Sequence, residues 1–212
     1  MPASKSSVQI GGPTLLAKVA VSNLVDDKST GRWVKLLSAS IKTSEQKDLM
    51  IGVSLQCGLF TDTLVKSSGG KTATSTAEAC VECQVTLDGK VASSRPNSVP
   101  GAVVFSRRSQ TLMAQLGGII TDITVNADGT VSWTYTDEQI QVVLDTMEAN
   151  HFDWLCSNVG AGDHVVAVEV RVAIMSNSDS GSAAAMACVG YGALDVEEIR
   201  LVKGATPVIT VP

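Results

Sequence analysis

The chain of 212 residues carries 16 Lys+Arg against 21 Asp+Glu, a formal charge of −5, and is 44% hydrophobic but only 17% charged. Soluble domains usually hold about 25% charged residues, and this shortage excludes a disordered chain, which needs low hydrophobicity and high net charge. The missing basic excess argues against a nucleic-acid partner, and no apolar run nears the roughly 18–20 residues of a membrane helix, so no membrane insertion is expected.

The opening residues, MPASKSSVQIGG, show no charged segment followed by an apolar one. No signal peptide is therefore visible, and the expected location is cytoplasmic, or within an assembled particle or filament if the chain is processed or exported by another route. Residues 1–13 read as an N-terminal extension in which Val8-Gln9-Ile10 follows a Ser-rich leader. Weak strands are predicted at Leu15–Val21 and Trp33–Ile41. Leu49, Ile51, Val53, Leu55, Cys57 and Leu59 then alternate strictly with Gly52, Ser54, Gln56 and Gly58. A period of two places such a row on one face of a strand. Gly69-Gly70-Lys71-Thr72 resembles the end of a phosphate loop, but its first glycine would fall at Val65, so a polar hairpin loop is the better reading.

A second strict row is Ala79, Val81, Cys83, Val85 and Leu87, ended by the tight-hairpin pair Asp88-Gly89. Residues 93–101 read as a surface loop. Further strands are predicted at Leu112–Leu116, Ile119–Val125 and Val131–Tyr135, the last two joined by the turn Asn126-Ala-Asp-Gly129. The next segment is ambiguous. Thr136 and Gln139 form a capping box before Ile140, Val143, Leu144 and Met147 at helical spacing, yet Ile140, Val142, Leu144 and Thr146 also alternate. A strand is favoured, because a lone helix would interrupt a β pattern. Phe152–Cys156 follows, then the longest row, Val166, Val168, Val170, Val172 and Ile174. Residues 176–182 read as a loop, Ala187–Val189 and Ile199–Val202 as strands, and 204–212 as a strand-like extension. The prediction is one domain over 14–203, all-β, an antiparallel β-sandwich of jelly-roll-like form with at most one short helix.

Chemistry is thinly represented. Five cysteines, an odd count, fit no disulfide framework. Cys80 and Cys83 stand three apart within a strand, so their sulfurs face opposite ways and cannot share a metal or a redox bond. Glu148-Ala-Asn-His151, with Asp153, has the spacing of a carboxylate–histidine metal site but lacks a second copy. Asp163-His164 precedes a strong strand with no nucleophile elbow nearby, which favours a hydrogen-bonded histidine at the strand start. Trp33, Trp133 and Trp154 each lie in alternating segments and are expected in the core. No cofactor and no metal is expected.

Leu144-Asp-Thr-Met147, Phe152, Trp154, Val159-Gly-Ala-Gly162-Asp-His164-Val-Val166, Gly190-Tyr-Gly192 and Val196-Glu-Glu-Ile199 have a shared texture. Over residues 140–203 it resembles the closing strands of jelly-roll-type β-sandwich proteins, in which Gly-x-His-x-Val opens a long core strand, and also uncharacterised bacterial β-proteins. The resemblance implies a sandwich and no catalytic residue.

The expected function is that of a non-enzymatic structural protein whose partner is itself, as a filament, shell or closed homo-oligomer. Sheet faces bearing Gly, Ser, Thr and Ala in place of charge, and apolar terminal strands added to a neighbour, would form the contacts. The residues singled out are Val8, Ile10, Arg107, Arg108, Val208, Ile209 and Val211. The alternative is a β-sandwich module binding carbohydrate or protein in its loops.

Overall fold

The computed structural model describes residues 6–11, 18–22, 27–92 and 101–200. Thirteen strands and no helix occur among them: β1 (Ser6–Gly11), β2 (Lys18–Ser22), β3 (Asp27–Thr30), β4 (Val34–Thr43), β5 (Lys47–Ser67), β6 (Thr72–Leu87), β7 (Lys90–Val91), β8 (Val103–Gln115), β9 (Ile119–Val125), β10 (Val131–Thr136), β11 (Glu138–Val159), β12 (Gly162–Ser178) and β13 (Gly181–Ile199). Every pairing is antiparallel.

The first sheet runs β1-β13-β5-β11, with β2 also on β13; the second runs β3-β12-β6-β7, with β4 on β12 and β8 on β6. β1 and β2 follow one another along the same edge of β13, from Ser6 opposite Glu197 to Ser22 opposite Ala183. They act as one interrupted strand, and so do β3 and β4 along β12. Taken this way, eight long strands pair in nested order: first with eighth, second with seventh, third with sixth, fourth with fifth. That double-stranded ribbon, folded into two stacked sheets, is a jelly roll.

The strict rows of the sequence become the inner faces. Leu49, Ile51, Val53, Val81, Cys83, Val85, Val166, Val168 and Val170 are wholly buried between the sheets. Each such side chain contributes about 1.5–3 kcal/mol of transfer free energy. Aliphatic residues supply nearly all of this core, which explains how a chain with 4% aromatics folds.

Several expectations meet the structure here. The ambiguous segment is strand: β11 pairs with β5 without a break from Glu138↔Ser67 to Cys156↔Leu49, and that ladder overrides the local capping box. Ser176 and Ser178, read as loop, are buried at the end of β12, and only Asp179-Ser180 separates β12 from β13. Polar composition misled there, because alternate residues of a strand end can still point inward. The stretch 1–13 contributes β1 to the first sheet; its apolar alternation, two residues long, was too short to show a strand. The loop 93–100 and the extension 204–212 lie outside the described residues.

Turn chemistry is as expected at two places. Asp88 (φ 50°) and Gly89 (φ 77°) both take left-handed conformations, as a type I′ hairpin requires. Asn126 to Gly129 (φ 82°) closes β9 onto β10 with Gly129 N donating to Asn126 O at 3.0 Å. The β9–β10 hairpin forms its own two-stranded sheet. It is inserted between β8 and β11, at the end of the sandwich that carries the β5–β6 and β12–β13 turns. Its base is fastened where Gly69 N and Gly70 N donate to Gly117 O and Leu116 O, each at 3.0 Å.

Candidate functional site

Of the residues singled out for assembly, Val8 and Ile10 stand on the outer face of the first sheet, opposite Asp195 and Ala193, and are 62% and 79% exposed. Arg107 and Arg108 do not form a common basic spot, since neighbours in a strand face opposite ways. Arg107 lies on the outer face of the second sheet and pairs with Glu78 at 2.9 Å. Arg108 points between the sheets, where its guanidinium donates to Leu59 O at 3.0 Å and to Thr146 Oγ1. Val208, Ile209 and Val211 lie outside the described residues.

Arg108 belongs to a polar seam that the sequence did not reveal. Ser106, Arg108 and Gln110 all face inward from β8, at the edge of the second sheet, and hydrogen-bond across to β5 and β11. Ser106 Oγ donates to Glu148, and Asn150 Nδ2 donates to Phe105 O at 3.0 Å. Buried Gln110 accepts from Thr61 Oγ1 at 2.6 Å and donates to Thr63 Oγ1 at 2.7 Å and Val142 O at 2.8 Å. The seam ties the free edges of the two sheets together. Gln110→Leu is expected to cost about 2 kcal/mol in a urea titration, because Thr61 and Thr63 would be left buried without partners.

The hairpin carries the largest surprise. Val125 faces Val131, Ile123 faces Trp133 and Ile120 faces Tyr135, with Thr121 extra at a β-bulge. Directly opposed residues share a face, so these six side chains form one apolar surface, and Asp122, Thr124, Ser132 and Thr134 form the other. All six are between 42% and 70% exposed. Of the tryptophans expected in the core, only Trp154 is wholly buried. Trp133 stands in the open on this face, and half-buried Trp33 stacks under Arg171 with the guanidinium carbon 4.6 Å from the ring centre.

The titratable residues stay dispersed. His151 links Ser54 Oγ, 2.9 Å from its Nδ1, to Asp153 Oδ1, 2.9 Å from its Nε2, on the outer face of the first sheet. This is the order of a hydrolase relay, but Ser54 sits mid-strand, paired with His151 of β11 and Ala193 of β13. Its flanking amides are committed to both ladders, so no pair of backbone donors faces the hydroxyl to hold an oxyanion. Glu148 projects from the opposite face of β11 toward Ser106, so the Glu-x-x-His spacing does not converge. Among the described residues no group of three or more His, Cys, Asp or Glu is placed to hold a metal. All five cysteines are free. Burial pushes the Cys57 thiol up to about 12, and Cys80 and Cys156 up to about 11.

His164 is a hydrogen-bonded residue at the start of β12, as expected. Its Nδ1 lies 2.8 Å from Asp88 Oδ2 and its Nε2 lies 2.9 Å from Gly160 O, beside a cavity of about 280 Å³ bordered also by Lys90, Cys156 and Val159. Two acceptors demand two donors, which only the imidazolium supplies. The Asp88 hydrogen bond first, then Gly160, therefore raises the His164 pKa above 6.5; the same bond, then Val165 N–H, lowers Asp88 below 3.8. A raised histidine stabilises below its unfolded pKa and loses that contribution as pH rises through its folded pKa; a lowered aspartate loses its contribution as pH falls through its folded pKa. The denaturation midpoint is thus expected to fall as pH rises above 6.5, and this slope should flatten in His164→Gln.

No family model and no curated protein matches the chain. Solved structures that it resembles include infectious bursal disease virus Gt strain (11% identity, TM-score 0.20, 98% of this chain and 43% of that one). Others are the Gx strain of the same virus (11%, 0.18, 96% and 46%) and its VP2 subviral particle (10%, 0.19, 93% and 42%). The chain spans less than half the length of these proteins, and the assignment to the jelly-roll fold rests on its own strand order.

Proposed function

We propose that the chain is a non-enzymatic structural protein that self-assembles. The observation that carries this reading is apolar surface left uncovered on the first sheet: Ile10, Val8, Tyr191 and Met147 are 79%, 62%, 61% and 59% exposed. A chain with so little charge has few groups with which to dilute such surface; Val8 and Ile10 stand side by side on one face of an outer strand, and an exposed apolar patch marks an interaction site. Sheet faces and exchanged terminal segments would supply the contacts of a filament, shell or closed homo-oligomer. Sedimentation velocity and light scattering of the full chain test it: species larger than the monomer are expected to grow with concentration and to shrink in the Val8→Lys, Ile10→Lys double variant. Loss of those species on deleting residues 205–212 would support strand exchange at the C-terminal segment. A monodisperse monomer at high concentration would overturn the proposal.

One observation favours a second reading. Trp133 and Tyr135 stand two residues apart on the same open face, a spacing on which sugar rings can stack. Glycan binding by a monomer would support that reading and sink the first.

A further inference from the structure

A two-stranded hairpin alone in water is at best marginally stable, and one with a wholly apolar face needs that face covered. The face made by Ile120, Ile123, Val125, Val131, Trp133 and Tyr135 has no charged side chain in it, and all six remain 42–70% exposed. A carbohydrate site would need polar groups converging beside the aromatic rings; here the neighbours of Trp133 and Tyr135 on this face are aliphatic.

We infer that this face packs against the same face of a second copy, hairpin on hairpin, about a two-fold axis. The inference rests on the self-assembly reading and names one of its contacts. A patch without charge is complementary to itself, which is the condition for an isologous contact. With about half of each side chain still open, the six present on the order of 600 Å² per copy. Two copies would bury about 1,200 Å², the lower bound of specific interfaces. Asp122 and the threonines of the opposite face stay in water on both sides of such a four-stranded stack. Ile123 and Trp133 form the middle pair of the three, so the axis passes near them.

The test uses the full chain with Ile123→Lys, Ile123→Glu and, on the polar face, Ser132→Lys. Each Ile123 variant alone is expected to weaken association by about 100-fold or more. Mixing the two variants should restore it, because the opposite charges then meet across the axis, and Ser132→Lys should associate as the parent does. Unchanged unfolding midpoints would show that the sandwich remains intact. Association of Ile123→Lys as tight as the parent's overturns the inference, and if Val8→Lys with Ile10→Lys does abolish it, self-assembly stands without this contact. A parent chain that is monomeric at every concentration overturns both, as does a monomer whose Trp133 fluorescence responds to oligosaccharide.

Discussion

Replacing Gly181 by alanine is expected to destabilise the sandwich by about 3 kcal/mol or more, the sum of backbone strain and a steric collision. Gly181 begins β13 at φ +122° and a Cβ there would stand 2.0 Å from Leu64 O and 2.8 Å from its carbonyl carbon. Neither side can give way. Gly181 is paired with Val65, and the preceding turn is held on both sheets: Lys66 N donates to Ser180 O at 3.1 Å, and Asp179 N donates to Thr74 O at 3.0 Å. A side chain would therefore have to part β13 from β5 at the point where the chain crosses between sheets. Urea denaturation measures the loss. Gly117→Ala is the control, since nothing lies within 4 Å of its Cβ position; a shift below about 1 kcal/mol is expected. Equal effects at the two positions would refute the steric account.

Trp154→Ala should cost about 3–5 kcal/mol, the range for truncating a large buried aromatic. The ring is wholly buried on the inner face of β11 and meets Phe152 edge-on, with centroids 5.2 Å apart and planes at 61°. Among the described residues no acceptor lies within hydrogen-bond reach of its Nε1. Trp154→Phe should then lose only volume and no hydrogen bond, about 1 kcal/mol. A phenylalanine variant as unstable as the alanine one would mean that the indole N–H has a partner after all.

How far the fold was legible can be argued residue by residue. The rows Leu49–Leu59, Ala79–Val85 and Val166–Ile174 announced themselves because one-sided burial imposes a period of two, and the glycine turns at Asp88 and Gly129 because left-handed φ values select their residues. The nested pairing was not legible, since nothing local in Ser6 specifies Glu197 as its partner. Residues 136–147 satisfied helix and strand spacing at once, and only the ladder to β5 decides between them. At the candidate site, the sequence marked Ile119–Val125 and Val131–Tyr135 as strands joined by a turn and placed Trp133 in the core, but could not show that its face stays open: periodicity reports which face is apolar, never what lies against it. The inward aim of Arg108 could have been found from strand parity with Leu112, although that parity does not carry back to Phe105, which stands at a bulge between Val104 and Ser106. The seam it joins could not, because Thr61, Thr63 and Thr146 come from distant strands.

The nested ribbon also orders events in time. Ser6 pairs with Glu197 and Gly11 with Gly192, so the outermost strands of the ribbon leave the ribosome with all its other strands between them. Central strand β5 must wait for β11 to close one of its edges and for β13 to close the other. Topologies so dominated by distant contacts fold slowly, and their unpaired strands are open to association meanwhile. A nascent chain of this protein therefore holds a central strand of its first sheet with two bare edges from the completion of β5 at Ser67 until β11 begins at Glu138. Copies made side by side on one message would meet in that state, before any of them has finished folding.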